Sequence, residues 1–229
     1  KPEAKQGRQA VPGSFTPAAA LRGLALLALL AAPARPAVSQ EGCGPPGAPC
    51  AAGGVAYHLL LPDGAGPHPV LMFLHGWGGR AEAVVSNPAR TEAALARGWA
   101  VLAPQGAPRH DGDRGGAWNA MASDSRRDDV AALQAVLDDA AARFPLDRGR
   151  VLAAGFSGGG MMVWRLACAA PGAAFAYAPV AGVMWRPRPA ACAGPVRLLH
   201  THGWTDAVVP LEGRAVAGGR LVQGDVFRA

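Results

Sequence analysis

The sequence predicts an α/β protein in which helices cover both faces of a mostly parallel sheet. Short, continuous apolar segments such as Val70–Gly76 and Gly98–Gly106 are typical of strands that are buried on both sides. Segments with a helical spacing of apolar residues alternate with these strands, which is the pattern of a sheet with crossover helices. The chain has 229 residues and no internal repeat, so we predict a single domain preceded by a leader.

The first half of the chain supplies three of the predicted strands. Val55–Leu61 is the first of them, and a helical segment ending near Arg97 separates the two long apolar strands. The stretch 107–123 is polar and rich in glycine, so we predict a long surface loop that shapes a binding cleft.

The second half begins with a helix predicted over Arg126–Phe144. Ser125, followed three residues later by Asp128, is a capping signal, and Asp128 and Asp129 supply the negative charge that a helix start favours. The remaining predicted elements are a strand at Arg150–Gly155, a helix at Gly158–Ala170, and strands at Phe175–Val180 and Val196–His202.

Residues 1–37 have the organisation of a secretory leader. An uncharged stretch rich in Leu and Ala, Gly23–Ala34, lies between two arginines. It is shorter than the roughly 20 residues needed to span a bilayer, and a buried helix is the alternative. Ala32–Ala34 has the small-x-small form of a cleavage site, and Ala37 is a second candidate. We therefore predict a secreted or periplasmic protein with no stable membrane insertion after removal of the leader.

The charge balance gives no support to nucleic-acid binding. The formal net charge is +6, but residues 1–37 hold five basic residues against one acidic residue. Residues 38–229 hold 17 arginines against 15 acidic residues, and these arginines form no basic run. Most of the excess positive charge would leave with the leader.

Four cysteines fit an exported protein that is held by disulfides. Cys43 and Cys50 flank a turn-rich loop, which leaves Cys168 and Cys192 as the other candidate pair. Four cysteines allow three connectivities, and the sequence alone does not choose among them. No CxxC or HxxxH spacing is present, so we predict no metal site.

Ser157 is the candidate nucleophile, because it lies in a G-x-S-x-G motif where a predicted strand meets a predicted helix. A nucleophile elbow needs this placement, since the serine adopts a strained backbone and its neighbours must lack side chains. Gly155 and Gly159 provide that clearance. The start of the following helix also favours the negative charge that develops in the reaction.

Two backbone amides are candidates for an oxyanion hole. One is the N–H of Gly158, directly after the nucleophile. The other is the N–H of Trp77, in the loop "HGWGG" that follows the strand ending at Leu74, where Gly76 lets the backbone turn toward the serine. We interpret His75 as a side chain that braces this loop rather than as a base.

Asp206 is the candidate acid of the site. It follows the predicted strand Val196–His202, at the carboxyl edge where sites gather in open α/β sheets. An ordinary turn aspartate is the alternative. His202 is interpreted as a loop-shaping residue and not as the base.

These motifs, taken in order, resemble a known family. From about Gly42 onward the chain resembles the secreted polyhydroxybutyrate depolymerase and feruloyl esterase-like branch of the α/β-hydrolases, in the segments "FLHGWGG", "AAGFSGGGMM", "APVAG" and "HGWTDAVVPLEGR". The resemblance implies an exported serine esterase over residues 38–229, with Ser157 as nucleophile and Asp206 as acid. The implied reaction requires no metal or organic cofactor. The resemblance does not decide whether the substrate is a polyester, a hydroxycinnamoyl ester or an acetylated sugar.

The base histidine is the member of the triad that the sequence does not supply. In this fold the chain order is Ser, Asp, His, yet all six histidines precede Asp206. The favoured hypothesis is a C-terminally truncated version of a longer enzyme that lacks its last strand and helix; loss of the base in a complete protein is the alternative. The rival functions are a non-catalytic exported binding protein on the same scaffold and a peptidase of the same fold.

Overall fold

The structure is a computed structural model that describes residues 43–121 and 126–228. The predicted leader, residues 1–37, lies outside them, as does the predicted capping residue Ser125. The described residues form nine strands and four α-helices: β1 Cys50–Ala52, β2 Val55–Leu60, β3 His68–Leu74, α1 Ala81–Val85, α2 Pro88–Leu95, β4 Ala100–Pro104, α3 Asp129–Arg143, β5 Leu146–Phe156, α4 Gly158–Ala169, β6 Ala176–Val180, β7 Trp185–Arg186, β8 Arg214–Val216 and β9 Leu221–Gln223.

The main sheet has six strands in the order β1-β2-β4-β3-β5-β6. The pairs β3–β4, β3–β5 and β5–β6 are parallel, whereas β1–β2 and β2–β4 are antiparallel. β5 runs between β3 and β6, and its carboxyl end leads directly into α4. The predicted, mostly parallel sheet is therefore confirmed. The candidate nucleophile, Ser157, lies between the end of β5 and the start of α4.

Helices cover both faces of this sheet, as predicted. Along β3, Val70, Met72 and Leu74 point to one face and pack in a core with α3 and α4. Phe73 points to the other face and packs against a smaller cluster that includes Val84 of α1. The alternation of side chains along a strand makes both faces apolar, so each face needs a helical cover.

Two predicted helices differ from the structure in detail. The segment ending near Arg97 is two short helices, α1 and α2, and Pro88 begins the second one. α3 begins three residues later than predicted, because the side chain of Asp128 accepts hydrogen bonds from Val130 N and Ala131 N as its N-cap.

Asp129 is more than the helix-start charge that the sequence predicts. It is 1 % exposed, pairs with Arg127 at 2.6 Å and accepts a hydrogen bond from Asn119 N at 2.7 Å. This buried carboxylate ties the long loop after β4 to the start of α3.

The predicted strand Val196–His202 is an irregular sheet edge and is not buried. It runs parallel to β6, where Leu199 N donates to Tyr177 O and Thr201 N donates to Pro179 O. The side chain of Leu199 is 72 % exposed. The apolar composition predicted a strand buried on both faces, but this edge is open to solvent among the described residues.

A small antiparallel sheet, absent from the sequence prediction, lies at the end of the described chain. Its strand order is β7-β9-β8, and Trp185 of β7 is paired with Gln223 of β9. Strands of two or three residues carry too little periodicity to be recognised from a sequence.

The two disulfides are Cys43–Cys50 and Cys168–Cys192, so the structure selects one of the three connectivities. The first closes the loop before β1, and the second joins α4 to the segment before the sheet edge at 196–202. Within the described ranges, no helix is long and apolar enough to cross a bilayer.

Candidate active site

Ser157 occupies a strained turn between β5 and α4. Its backbone angles are φ 53° and ψ −118°, which are rare for a residue with a side chain. Its N–H donates to Val180 O at 2.9 Å, which fixes the turn to the end of β6. A strained serine between a parallel strand and a helix start is the geometry of a nucleophile elbow.

The two elbow glycines are needed for close packing. A Cβ on Gly159 would lie 2.1 Å from Leu74 O, and a Cβ on Gly155 would lie 2.6 Å from the carbonyl of Gly159. Neither position has room for a side chain, because α4 begins in direct contact with the ends of β3 and β5.

The loop after β3 lies against this turn. A Cβ on Gly158 would be 3.2 Å from Trp77 N, and a Cβ on Gly76 would be 3.6 Å from Ser157 Cβ. The structure therefore brings together Ser157 and the two predicted oxyanion residues, Trp77 and Gly158. The ring of Trp77 is largely exposed, with the guanidinium of Arg109 5.7 Å from its centroid.

His75 braces this loop from inside the protein. Its Nε2 accepts a hydrogen bond from Gly106 N at 2.9 Å, and its Nδ1 donates to Gly76 O at 2.8 Å. The indole of Trp118 donates to His75 O at 2.8 Å. Burial lowers the pKa of His75, so the ring is neutral and both of its nitrogens are used.

The loop that contains Asp206 forms another wall of the site. Asp206 Oδ1 accepts hydrogen bonds from Val208 N and Val209 N, both at 2.9 Å. Val208 and Val209 line the same cavity as Ser157, whereas the carboxylate itself is not among the lining groups. The structure therefore places the predicted acid beside the cavity, where its Oδ1 accepts two backbone hydrogen bonds within a turn.

Two histidines lie next to this loop: His202 contacts it directly, and His200 contacts His202. His202 Nε2 donates to Val209 O at 2.6 Å and lies 3.5 Å from Asp206 Oδ2. Its Nδ1 is 2.9 Å from His200 Nε2, and the His200 ring packs near Trp164. Burial lowers the pKa of His200. His202 thus shapes the loop, as its sequence position indicates.

The pKa of Asp206 is held below its usual value, chiefly by the hydrogen bond from Val209 N–H, with a further contribution from Val208 N–H. A depressed pKa means that ionised Asp206 stabilises the fold above the unfolded-state pKa, and that this contribution disappears as the pH falls through the folded pKa. We expect an NMR titration of the Asp206 carboxyl carbon to give a midpoint below the ordinary 3.8. The stability difference between the original protein and Asp206→Asn should then shrink as the pH falls from the unfolded-state pKa to that midpoint. A midpoint at or above the ordinary value would contradict the prediction.

A cavity of about 430 Å³ opens above Ser157. Three tryptophans, Trp77, Trp118 and Trp185, form much of its wall. The small sheet supplies Trp185, Leu221 and Gln223, residues that sequence reasoning did not identify. The sequence does not indicate that these three residues line the cavity, because β7 and β9 are distant in the chain and meet only through tertiary pairing.

No histidine lies among the described residues that line this cavity. His58 contacts the carbonyls of Gly44 and Pro45, and His75, His200 and His202 are engaged as described. Within 43–121 and 126–228, no group of three His, Cys, Asp or Glu side chains is arranged to hold a metal ion.

The mostly parallel sheet, with helices on both faces and a strained serine directly after β5, has the architecture of the α/β-hydrolase fold. A sequence model of the X-Pro dipeptidyl-peptidase (S15) family matches residues 54–213. The chain belongs to this family.

Individual relatives are esterases by name. NocK of Nocardia uniformis subsp. tsuyamanensis, which carries the name of an esterase, is 34% identical over 166 residues, or 69% of this chain and 44% of NocK. Feruloyl esterase C of Emericella nidulans is 30% identical over 183 residues, or 75% of this chain and 62% of that protein. The chain thus spans less than two thirds of the length of both relatives.

A carboxylesterase from Mesorhizobium loti shares the fold. Its structure superimposes with a TM-score of 0.51 at 23% identity, over 64% of this chain and 70% of the carboxylesterase. The predicted resemblance to esterases of the α/β-hydrolase fold is confirmed by these relatives. The polyhydroxybutyrate depolymerase branch stays a prediction.

Proposed function

We propose that this chain forms the catalytic core of an exported serine carboxylic-ester hydrolase. The observation that carries the proposal is the strained Ser157, with φ 53°, at the start of α4 and on the floor of an aromatic cavity. Strain of this kind is retained where the surrounding structure over-determines it, and such positions cluster at catalytic sites. The backbone of Trp77 lies beside Gly158, so both proposed oxyanion donors are close to this serine.

The proposed reaction passes through an acyl-enzyme. Ser157 Oγ forms a bond to the ester carbonyl carbon while its proton passes to a histidine, and the carbonyl oxygen becomes an oxyanion. The N–H groups of Trp77 and Gly158 stabilise that oxyanion. The alcohol then leaves with the proton from the histidine, and water cleaves the acyl-serine to release a carboxylate in a second, equivalent step.

The histidine is the part of this mechanism that the described cavity does not contain. The proposal therefore includes a base from a part of the protein outside these residues, oriented by the second carboxylate oxygen of Asp206. Asp206 supports this role because its Oδ1 is held by two backbone N–H groups, which fixes the direction of Oδ2.

The cavity favours esters with a bulky or planar apolar part. Three tryptophans offer flat apolar surfaces, and Arg126 and Gln223 are polar groups on the wall. The relative named feruloyl esterase C supports a hydroxycinnamoyl ester as the first substrate to test. Polyesters of the polyhydroxyalkanoate type and acetylated polysaccharides belong to the same proposal.

A peptidase is the second candidate, because the family match is to an X-Pro dipeptidyl-peptidase. A dipeptidyl-peptidase substrate carries a free ammonium group near the bond that is cleaved, and an acidic side chain is the usual partner of such a group. The described residues that line the cavity include no acidic side chain. This composition favours the ester over the peptide.

Export is proposed from the disulfides. Two disulfides and no free cysteine among the described residues suit an oxidising compartment, either periplasmic or extracellular.

The test is active-site labelling of the protein produced from its full reading frame. A fluorophosphonate should form a single adduct, mapped to Ser157, in the folded protein and none after denaturation. Methyl ferulate should be hydrolysed faster than a Gly-Pro anilide. Absence of the adduct in folded protein would overturn the proposal. Faster turnover of the anilide would favour the peptidase, and binding of methyl ferulate without turnover would identify a non-catalytic binding protein.

A further inference from the structure

A second, smaller cavity lies next to the cavity above Ser157. Its volume is about 140 Å³. Ala120, Met121 and Trp185 line both cavities, so the two share one wall. A ligand held in the smaller cavity is therefore a neighbour of anything bound above Ser157.

Three arginines line this smaller cavity, which we call the arginine pocket: Arg165 of α4, Arg186 of β7, and Arg188. Their acidic partner is Asp225, whose Oδ2 lies 2.6 Å from Arg186 and 3.2 Å from Arg188. The side chain of Arg165 forms neither a hydrogen bond nor an ion pair with any described residue. The pocket thus carries two positive charges that its own side chains do not balance.

One buried hydrogen-bond donor of Arg188 in the arginine pocket also lacks an acceptor in the described structure. Arg188 donates to Arg228 O and to Asp225 O, but its Nε is buried without an acceptor in the described structure. Burial alone would raise the pKa of Asp225, yet the hydrogen bond from Arg186 and the charges of both arginines lower it. Asp225 is therefore ionised and already shared between two arginines, which leaves Arg165 for another anion.

The rest of the pocket wall is apolar. Met121, Met184, Pro187 and Pro189 line it together with Trp185. An inorganic anion would leave these apolar groups without contacts. A carboxylate on a short hydrocarbon would pair with the arginines and also pack against the apolar side chains. A guanidinium group recognises a carboxylate through paired N–H donors.

We propose that the arginine pocket binds the carboxylate group of a small organic acid. The inference rests on the proposed function for its biological ligand, because ester hydrolysis above Ser157 releases a carboxylate. That carboxylate has two sources: the free acid end of an oligomeric hydroxy-acid ester, or the acid released as product. Whichever source supplies it, the carboxylate would contact Arg165.

The binding test uses butyrate and its neutral counterpart, butyramide, on the purified protein. Butyrate should bind, butyramide should not, and Arg165→Gln should weaken butyrate binding about tenfold or more. Arg90→Gln is the matched control, because Arg90 is an exposed arginine on α2. Higher salt should weaken butyrate binding by the original protein, a result that needs no variant. Equal binding of the two probes, or unchanged binding by Arg165→Gln, would overturn the proposal.

A kinetic test distinguishes the two sources of the carboxylate. The substrates are a dimeric hydroxy-acid ester with a free carboxylate and its methyl ester. If the substrate supplies the carboxylate, Arg165→Gln should raise KM about tenfold for the free acid alone, with kcat unchanged. If the product supplies it, both KM values should stay the same and product inhibition should weaken.

The two proposals fail separately. Butyrate binding that depends on Arg165, without hydrolysis of any ester, would support the pocket and refute the esterase. Ester hydrolysis with butyrate binding that does not depend on Arg165 would refute the pocket and leave the esterase intact.

Discussion

Replacing Ser157 with alanine is expected to lower the hydrolysis of a hydroxycinnamoyl ester by about 10⁴-fold or more. The reason is that the proposed acyl-enzyme forms through Ser157 Oγ, and alanine removes the attacking atom. The backbone strain at this position, φ 53°, should be retained, because Ser157 N still donates to Val180 O. The measurement is kcat/KM on methyl ferulate with the protein from the full reading frame, together with its urea denaturation curve.

Ser86→Ala is the matched control for this variant. Ser86 is an exposed serine at the end of α1, and its side chain plays no part in the cavity. Its kcat/KM should stay within experimental error of the original value. A Ser157→Ala protein that folds normally and hydrolyses the ester at an unchanged rate would refute the assignment of the nucleophile.

The central sheet is predictable from the sequence because its strands are buried on both faces. Val70–Gly76 and Gly98–Gly106 are continuous apolar segments, and the structure places β3 and β4 within or across them. Helix α4 is predicted almost to the residue, since the G-x-S-x-G motif at its start is a strong local signal. In these segments the local composition and the tertiary environment require the same structure.

The elbow is predictable for a related reason. A strand, a serine between glycines and a helix are consecutive in the chain, so the whole geometry around Ser157 is encoded locally. The approach of Trp77 to Gly158 is a long-range contact, but it follows once β3 and β5 are neighbours in a parallel sheet.

The opposite wall of the cavity could not be predicted. Trp185 and Gln223 are 38 positions apart and meet as a register pair of two very short strands. Nothing in the local sequence of either strand indicates a partner. Likewise, the burial of Asp129 depends on Arg127 and on the backbone of Asn119, and a capping pattern contains no information about such a tertiary contact.

Segment 196–202 shows the limit of composition as a guide. Its apolar residues predict a buried strand, yet Leu199 is exposed and the segment meets β6 through an irregular ladder. Composition reports whether a strand could be buried, whereas burial itself depends on which other elements cover it.

Replacing Gly159 with alanine is expected to cost about 3 kcal/mol of the free energy of unfolding. A Cβ at this position would lie 2.1 Å from Leu74 O and 2.6 Å from His75 O, and both atoms belong to the backbone. Rotation of a side chain cannot relieve either contact, so α4 must move away from the end of β3. Because Ser157 and Trp77 are held by these two elements, the same movement should separate the nucleophile from its oxyanion donor.

Gly172→Ala is the control for this variant, because a Cβ at Gly172 meets nothing within 4 Å. Its stability should change by less than about 0.5 kcal/mol, or rise slightly as the unfolded chain loses freedom. The measurement is the midpoint and slope of urea unfolding for both variants, followed by fluorophosphonate labelling of the folded fraction. If Gly159→Ala were as stable as Gly172→Ala and labelled at the original rate, the close contact of α4 with β3 would not be what holds Ser157 in its strained conformation. A loss of labelling larger than the loss of folded protein would instead show that the contact positions the nucleophile as well as stabilising the fold.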